Sequence, residues 1–193
     1  MDFRQRLFEY RSYTPIPFLL VMLLFAHPTL SSLLLGFMTI AMGEFIRLWG
    51  VAIAGSETRT TGPVGGTYLI TRGPFSYVRN PLYLGNMLIY FGVGVMSNAL
   101  FPWLSLIALL YFLWQYSLIV NLEEEHLRSK FGEEFRRYCQ EVPRFFPSYK
   151  QFRSGNNPQP ELNWLRGMVS EKRTLQAITF LTIVLVVFFL FRG

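Results

Sequence analysis

The sequence predicts an all-α polytopic transmembrane helix bundle with about five spans. Hydrophobic residues make up 51% of the chain and aromatic residues 17%, and the mean hydropathy is +0.29. The apolar residues form long blocks instead of one-sided stripes, and blocks of about 20 residues match a hydrocarbon core roughly 30 Å thick. A soluble domain of 193 residues would not need such blocks.

Four apolar blocks are long enough to cross a bilayer. They cover residues 30–54, 81–99, 100–121 and 175–191. A shorter block, 13–26, opens with Pro15 and Pro17, which the first helical turn tolerates because its N–H groups have no intrahelical acceptor. We count this block as a fifth span, joined to the next by a turn at His27 and Pro28. Short turns therefore predict two helical hairpins, followed by a last single span.

Basic residues predict the orientation of the chain. All Lys and Arg except Arg47 and Arg192 lie in the N-terminal flank, the 55–80 loop or the 122–173 segment. The positive-inside rule places these segments and the N-terminus in the cytoplasm, and the C-terminus outside. The net charge of +6 predicts attraction to anionic membrane lipids. Nucleic acid is a poor partner because no soluble basic domain is present, and the sequence leaves the oligomeric state open.

The domain organisation is predicted to be simple. The single Cys139 excludes an intrachain disulfide and a Cys-rich metal site, so we expect no metal. The basic N-terminus and first apolar run are similar to a signal peptide, but no small-x-small pattern follows, so we expect them in the mature chain. We predict one integral-membrane domain over 1–193, with a cytoplasmic linker at 148–172 and a C-terminal transmembrane helix at 173–193.

Two long cytoplasmic stretches are predicted to hold the chemistry. The 55–79 loop is rich in Gly and Thr but lacks the Gly-Lys-Ser/Thr ending of a phosphate loop, so we expect a flexible lid. The second stretch begins with an amphipathic helix that lies in the membrane interface and ends at Pro143. Its apolar residues are Leu127, Phe131, Phe135, Tyr138 and Val142. Residues 154–160 have linker composition.

The third span opens with a polar cluster. The run is Arg79-Asn80-Pro81-Leu82-Tyr83-Leu84-Gly85. Asn80 and Pro81 suit a helix start, but the free N–H groups of that start would also face a ligand carboxylate. Gly85 suits either close helix packing or room for a ligand. Arginines at such an edge, Arg79 included, are more often lipid-headgroup anchors than ligand-binding groups.

The fourth span ends with Glu123, Glu124 and Glu125. Acidic residues at a helix C-terminus oppose the helix dipole and the positive-inside trend, so a positive group should compensate them. The protein candidates are Arg128, Arg79 and Arg72, and the alternative is a cationic ligand. We favour the ligand, because the polar cluster of the third span faces the same edge.

The second span contains two ionisable residues, Glu44 and Arg47, at i, i+3 spacing. One interpretation is a mutually satisfied pair that holds helices together. The other is a cavity-facing site in which Arg47 positions an anionic acceptor group. The two histidines, His27 and His126, have no visible ligand partners and are interpreted as surface residues.

These motifs together resemble the isoprenylcysteine carboxyl methyltransferase and phospholipid methyltransferase family. The resemblance covers residues 43–147 and rests on Gly73-Pro74-Phe75 with the 79–85 run, the Glu pair with Leu127, Phe131-Gly132 with Phe135 and Tyr138, and Val142-Pro143 with Phe146-Pro147. The family's Arg-His-Pro-x-Tyr-x-Gly pattern maps onto Arg79, Pro81, Tyr83 and Gly85. Asn80 stands where the family more often has His.

The resemblance implies an enzyme that binds S-adenosylmethionine at the cytoplasmic face and methylates a lipid-like acceptor from the bilayer, either an isoprenylcysteine carboxylate or a phospholipid amine. The expected cofactor-binding residues are Arg79, Pro81, Tyr83, Leu84, Gly85, Glu123, Glu124, Tyr138, Val142 and Pro143. The expected catalytic residues are Arg47, Glu44 and Asn80. The cap over the cofactor is expected between Tyr138 and Phe146.

Two alternatives stay open. Membrane sterol reductases, which use NADPH, are similar in the tail from Lys130 to Pro143. Three glutamates at the cofactor face would repel the phosphates of NADPH, which disfavours this interpretation. The second alternative is a non-catalytic membrane scaffold that has kept the fold, although such a protein has no need of the glutamate cluster.

Overall fold

The computed structural model describes residues 3–55, 68–153 and 159–192, and within these ranges it is all-α, with no strand. The predicted fold class is confirmed. The helices are α1 (Phe3–Tyr10), α2 (Pro15–Leu24), α3 (Leu30–Ala54), α4 (Pro81–Ser97), α5 (Trp103–Glu141) and α6 (Trp164–Arg192), with a 3₁₀ turn at Gly73–Ser76 before α4. Residues 56–67 of the expected lid and 154–158 of the expected linker lie outside the described ranges.

Among the described helices, α3, α5 and α6 are long and apolar enough to cross a membrane, which indicates a membrane protein. The apolar helices α2 and α4 are shorter, with 10 and 17 residues. At 1.5 Å per residue they extend about 15 and 25 Å, less than the hydrocarbon thickness. Three of the five predicted spans are therefore long enough to cross the membrane, and α2 and α4 are not. The ten residues of α2 in particular would cover only part of the bilayer depth.

Two predicted boundaries differ from the structure. α5 covers 39 residues, but the chain kinks at Gly132 (φ 52°, ψ −122°), where two helices meet. The first of them continues the fourth span past its predicted end at residue 121 as far as this glycine. The last helix begins at Trp164, so residues 164–172, about the last third of the predicted 148–172 linker, are helical. Both differences have one cause: polar helical turns continue the apolar spans, and hydropathy alone ends a span where the polar residues begin.

The two predicted hairpin turns lie together at one end of the bundle. The His27 amide donates to Ser97 O (2.9 Å), and Asn98 Nδ2 donates to His27 O (3.1 Å). At the other end, the Asn163 amide donates to Ala52 O (2.8 Å), so α6 starts beside the end of α3. We call this second end the site end, since the polar clusters of α4 and α5 lie there.

Glycines bring α3 and α4 into close contact. A Cβ at Gly36 would lie 2.6 Å from Gly92 O, and one at Gly43 would lie 2.7 Å from Gly85 O. Small residues at a helix interface let the backbones approach in this way. The α3–α4 pair is thus the closely packed centre against which α2, α5 and α6 pack.

Candidate functional site

A cavity of about 480 Å³ opens at the site end, bounded by α1, α3, α4, α5 and α6. Eight of the predicted site residues line it: Arg47, Arg79, Asn80, Pro81, Tyr83, Glu123, Glu124 and Tyr138. The other five, Glu44, Leu84, Gly85, Val142 and Pro143, are not among its lining residues. The structure therefore brings eight of the predicted residues, from α3, α4, α5 and the loop before α4, together around one cavity.

Glu124 is compensated by protein groups. The residue is 5% exposed, and its carboxylate accepts hydrogen bonds from Arg79 Nε (3.0 Å), Arg144 Nε (3.1 Å) and Arg144 Nη2 (2.7 Å). The expectation that a cationic ligand compensates this residue is wrong for Glu124. A carboxylate with two arginine partners at these distances instead fixes the loop that follows α5 against the loop that precedes α4.

Glu123, one residue earlier, has a different environment. It lines the cavity and accepts a hydrogen bond from the Tyr83 hydroxyl (2.8 Å). No basic side chain in the described ranges is ion-paired with it. The ligand interpretation therefore remains a prediction for Glu123, which presents an acidic group to the cavity.

Arg79 is a fixed connector and not a lipid anchor. Besides Glu124, its guanidinium donates to Cys139 O (3.0 Å) and to Val142 O. The Arg79 amide also donates to Pro143 O (2.8 Å). Val142 and Pro143 thus act through their backbone carbonyls, which hold the start of α4 in place from outside the cavity.

Asn80 occupies the N-cap position of α4, but its side chain makes no capping hydrogen bond. Its Nδ2 and its backbone amide both point to Arg144 O, at 3.3 and 3.2 Å. Pro81 takes the first helical position, as predicted from its fixed φ. The side chain of Asn80 therefore joins the 142–144 loop to α4 at the cavity wall.

Tyr138 fixes the opposite wall. Its hydroxyl donates to Phe75 O (2.6 Å), and its ring packs with the buried Leu69, Phe135 and Phe152. Burial raises the pKa of the Tyr138 hydroxyl well above its usual value, so the group stays a neutral donor. The described part of the predicted lid, 68–79, is consequently attached to the second half of α5.

Arg47 is the centre of a second polar cluster. Its Nη2 donates to Glu171 Oε2 on α6 (2.6 Å), and its Nη1 donates to Asn86 Oδ1 on α4. The predicted partner Glu44 is farther away, with Nε to Oε2 at 3.6 Å and no hydrogen bond to either Glu44 oxygen. The i, i+3 pair exists, but it is the weakest of the three contacts.

The absence of a side chain at Gly85 leaves room for the Arg47 side chain. A Cβ at Gly85 would lie 2.5 Å from Arg47 Cγ and 2.6 Å from Gly43 O. Of the two interpretations of this glycine, close packing against α3 is the one that the geometry supports. On α5, Tyr116 lines the same cavity as Asn86 and Tyr90 of α4. Polar side chains from α3, α4, α5 and α6 therefore meet at this cavity.

Several lining residues were not found from the sequence. They are Arg11 of the α1–α2 turn, Asn86, Tyr90, Tyr116, His126 and Glu171. An amide inside an apolar span was a usable signal for Asn86, because buried polar groups need partners. Glu171 precedes Lys172 and Arg173 and is hidden among charged residues, so only the packing of α6 on α3 reveals it. His126, interpreted as a surface residue, is partly buried at the cavity.

Comparison with known protein families gives a match to the model of phospholipid methyltransferases over residues 31–134, more than half of the chain. The chain belongs to the phospholipid methyltransferase family. The matched segment covers α3, α4 and most of α5. It therefore includes the Arg79–Glu124 and Arg47–Asn86 contacts, but neither Arg144 nor Glu171.

Two curated relatives carry names that refer to metal resistance. The chain is 32% identical over 146 residues to the cobalt-zinc-cadmium resistance protein CzcN of Cupriavidus metallidurans, a match that covers 72% of this chain and 62% of the relative. It is 33% identical over 123 residues to the nickel-cobalt-cadmium resistance protein NccN of Alcaligenes xylosoxydans xylosoxydans, covering 63% and 53%. The chain thus spans less than two thirds of each relative. No solved structure matches it.

Proposed function

We propose that this protein is an S-adenosylmethionine-dependent methyltransferase whose acceptor is a lipid-like molecule that enters from the bilayer. The observation that carries the proposal is that one cavity of about 480 Å³ is lined both by Glu123 and Tyr83 at the site end and by Arg47 between the apolar helices. A methyl donor from water and an acceptor from lipid need such a shared space.

The cavity residues fit the proposed cofactor. The volume of the cavity, about 480 Å³, lies within the range of roughly 300–1,000 Å³ that is typical of small-molecule sites. Glu123 suits the ammonium group, the first-turn N–H groups of α4 suit the carboxylate, and the faces of Tyr83 and Tyr138 suit the sulfonium. When bound, S-adenosylmethionine supplies an activated methyl group for in-line transfer to a nucleophile.

The residues of this chain act by alignment and exclusion of water. Methyl transfer needs two partners held in line in a dry site more than it needs a dedicated base. Arg47 lies one and a half to two helical turns from Ala54 on α3, about 10 Å below the site end at 1.5 Å per residue. At this depth Arg47 and Asn86 hold the polar head of the acceptor while its apolar part stays among the helices.

The metal-resistance names of the relatives do not define a site in this chain. Within residues 3–55, 68–153 and 159–192, no group of three or more His, Cys, Asp or Glu side chains is arranged to hold a metal ion. The proposal accordingly rests on the family and on the cavity.

The deciding experiment compares ligand binding to detergent-purified protein by calorimetry. We expect binding of S-adenosylhomocysteine and no binding of NADPH. Incorporation of radiolabelled methyl groups into vesicles of the host's total lipid extract then tests catalysis. Binding of NADPH alone would favour the reductase, and binding of neither ligand would favour a non-catalytic scaffold.

A further inference from the structure

The last helix contributes to the site although it lies outside the segment that matches the family. The match ends at residue 134, and α6 begins at Trp164. Glu171 of α6 lines the cavity, is 1% exposed, and accepts a hydrogen bond from Arg47 at 2.6 Å. A charged group at such a position inside a membrane bundle is costly unless it is paired and is a functional candidate.

Arg47 lies between two carboxylates on different helices. Glu171 contacts the tip of its guanidinium, whereas Glu44, on the same helix as Arg47, lies 3.6 Å from Nε. Both Glu44 oxygens and Arg47 Nε are buried without a hydrogen bond. Glu44 is therefore a competing partner whose hydrogen-bonding capacity is unused in this arrangement. If Glu171 lost its charge, Arg47 would gain by turning along α3 toward Glu44.

The position of Glu171 relative to Arg47 is set by close contacts between α3 and α6. The Asn163 amide donates to Ala52 O (2.8 Å), and a Cβ at Gly167 would lie 3.1 Å from Ala52 Cβ. Glu171 lies four residues after Gly167 on α6, and Arg47 lies five residues before Ala52 on α3. The contact between Gly167 and Ala52 therefore lies about one helical turn from both charged residues. The carboxylate thus has little freedom to follow Arg47 if the guanidinium moves.

We infer that Glu171 is a positioning residue: it holds the Arg47 guanidinium in the cavity, facing the acceptor, against competition from Glu44. The inference rests on the proposed function, since it assumes that Arg47 contacts the acceptor. It adds that α6, which the family match does not cover, completes the acceptor half of the site.

The test measures transfer of radiolabelled methyl groups from S-adenosylmethionine to vesicles of the host's total lipid extract. Glu171→Gln should raise the apparent KM for the lipid about tenfold or more, as expected for loss of a buried charge-assisted hydrogen bond. The KM for S-adenosylmethionine and the affinity for S-adenosylhomocysteine should stay within about twofold, since the cofactor half is untouched. The exposed Glu161→Gln is the matched control and should behave as wild type.

A double variant separates positioning from a purely structural role. Glu44→Gln added to Glu171→Gln removes the competing carboxylate, so it should recover part of the lost lipid KM. A structural role would give no recovery and would lower thermal stability further, and that result would overturn the inference. Wild-type KM in Glu171→Gln would overturn it as well. A wild-type protein that transfers no methyl group would instead refute the proposed function.

Discussion

Three consecutive glutamates of α5 have three different environments. Successive helical residues are about 100° apart, so neighbours in sequence face different surroundings. Glu123 faces the cavity and Tyr83, Glu124 faces two arginines, and Glu125 pairs at the surface with Arg4 at 2.6 Å. One acidic motif therefore combines a ligand-binding candidate, a structural ion pair and a solvated contact.

Glu123→Gln tests the cofactor assignment. It should weaken S-adenosylhomocysteine binding by more than about tenfold, because a hydrogen bond to a charged group is worth roughly 1.5–3 kcal/mol. Its melting temperature should stay close to that of wild type, since its only hydrogen-bond partner in the described ranges is a hydroxyl group. Calorimetry on the purified variant measures both quantities. Undiminished affinity would remove Glu123 from the cofactor site.

Glu124→Gln should act mainly on stability. Breaking a buried ion pair by removal of one partner typically costs about 3–5 kcal/mol, because the other charge is left uncompensated. Thermal unfolding in detergent should therefore shift to clearly lower temperature. Glu125→Gln is the matched control, because Glu125 itself is exposed and surface ion pairs contribute about 0–1 kcal/mol. Equal melting of the two variants would contradict the buried network.

Arg47→Ala tests the acceptor half of the site. Methyl transfer should fall to background while S-adenosylhomocysteine affinity stays nearly intact, since Arg47 positions the acceptor and not the cofactor. The measurement is methyl incorporation into lipid vesicles alongside calorimetry of the same preparation. Loss of cofactor affinity would place Arg47 in the cofactor pocket. A fully active but less stable variant would support the helix-holding interpretation.

At the scale of elements, the α3–α4 contact links packing to the site through Gly85. Gly85→Ala should destabilise the protein by about 1–3 kcal/mol, the usual cost of overpacking, and should also displace Arg47. Gly36→Ala makes a similar clash with Met96 far from Arg47 and serves as the control. Both variants should melt earlier in detergent, but only Gly85→Ala should raise the apparent KM for lipid. An equal change in KM would show that Gly85 acts through packing alone.

The sequence predicted the elements better than their ends and partners. The α3 boundaries, Leu30 and Ala54, follow from an apolar block between a Thr29 cap and a glycine, all of them local signals. The sequence did not predict that α6 begins at Trp164 or that the helix of the fourth span continues to Gly132. In both places charged helical turns extend an apolar span without a change in period. The Arg79–Glu124–Arg144 network depends on tertiary contacts: the sequence named Arg79 among the possible partners of the glutamates but favoured a ligand, and it did not indicate Arg144.

At the scale of the whole molecule, the cavity combines helices from both ends of the chain. Arg11 from the α1–α2 turn and Glu171 from α6 lie beside a centre formed by α3, α4 and α5. The site end also carries most of the basic residues, so we expect it to face anionic lipid headgroups. The orientation of the protein in the membrane therefore decides whether the cofactor can reach the cavity, because the cofactor comes from the compartment that the site end faces.

The last prediction concerns that orientation. The positive-inside rule predicts that the site end is cytoplasmic and that the paired turns face outside. In a Cys139→Ser background, Gln151→Cys at the site end and His27→Cys at the turns provide two exposed labelling positions. A membrane-impermeant thiol reagent added to intact cells should label position 27 and leave position 151 unlabelled until the membrane is opened. The reverse pattern would place the site end outside and the cavity out of reach of cytoplasmic S-adenosylmethionine, and it would refute the proposed function together with the topology.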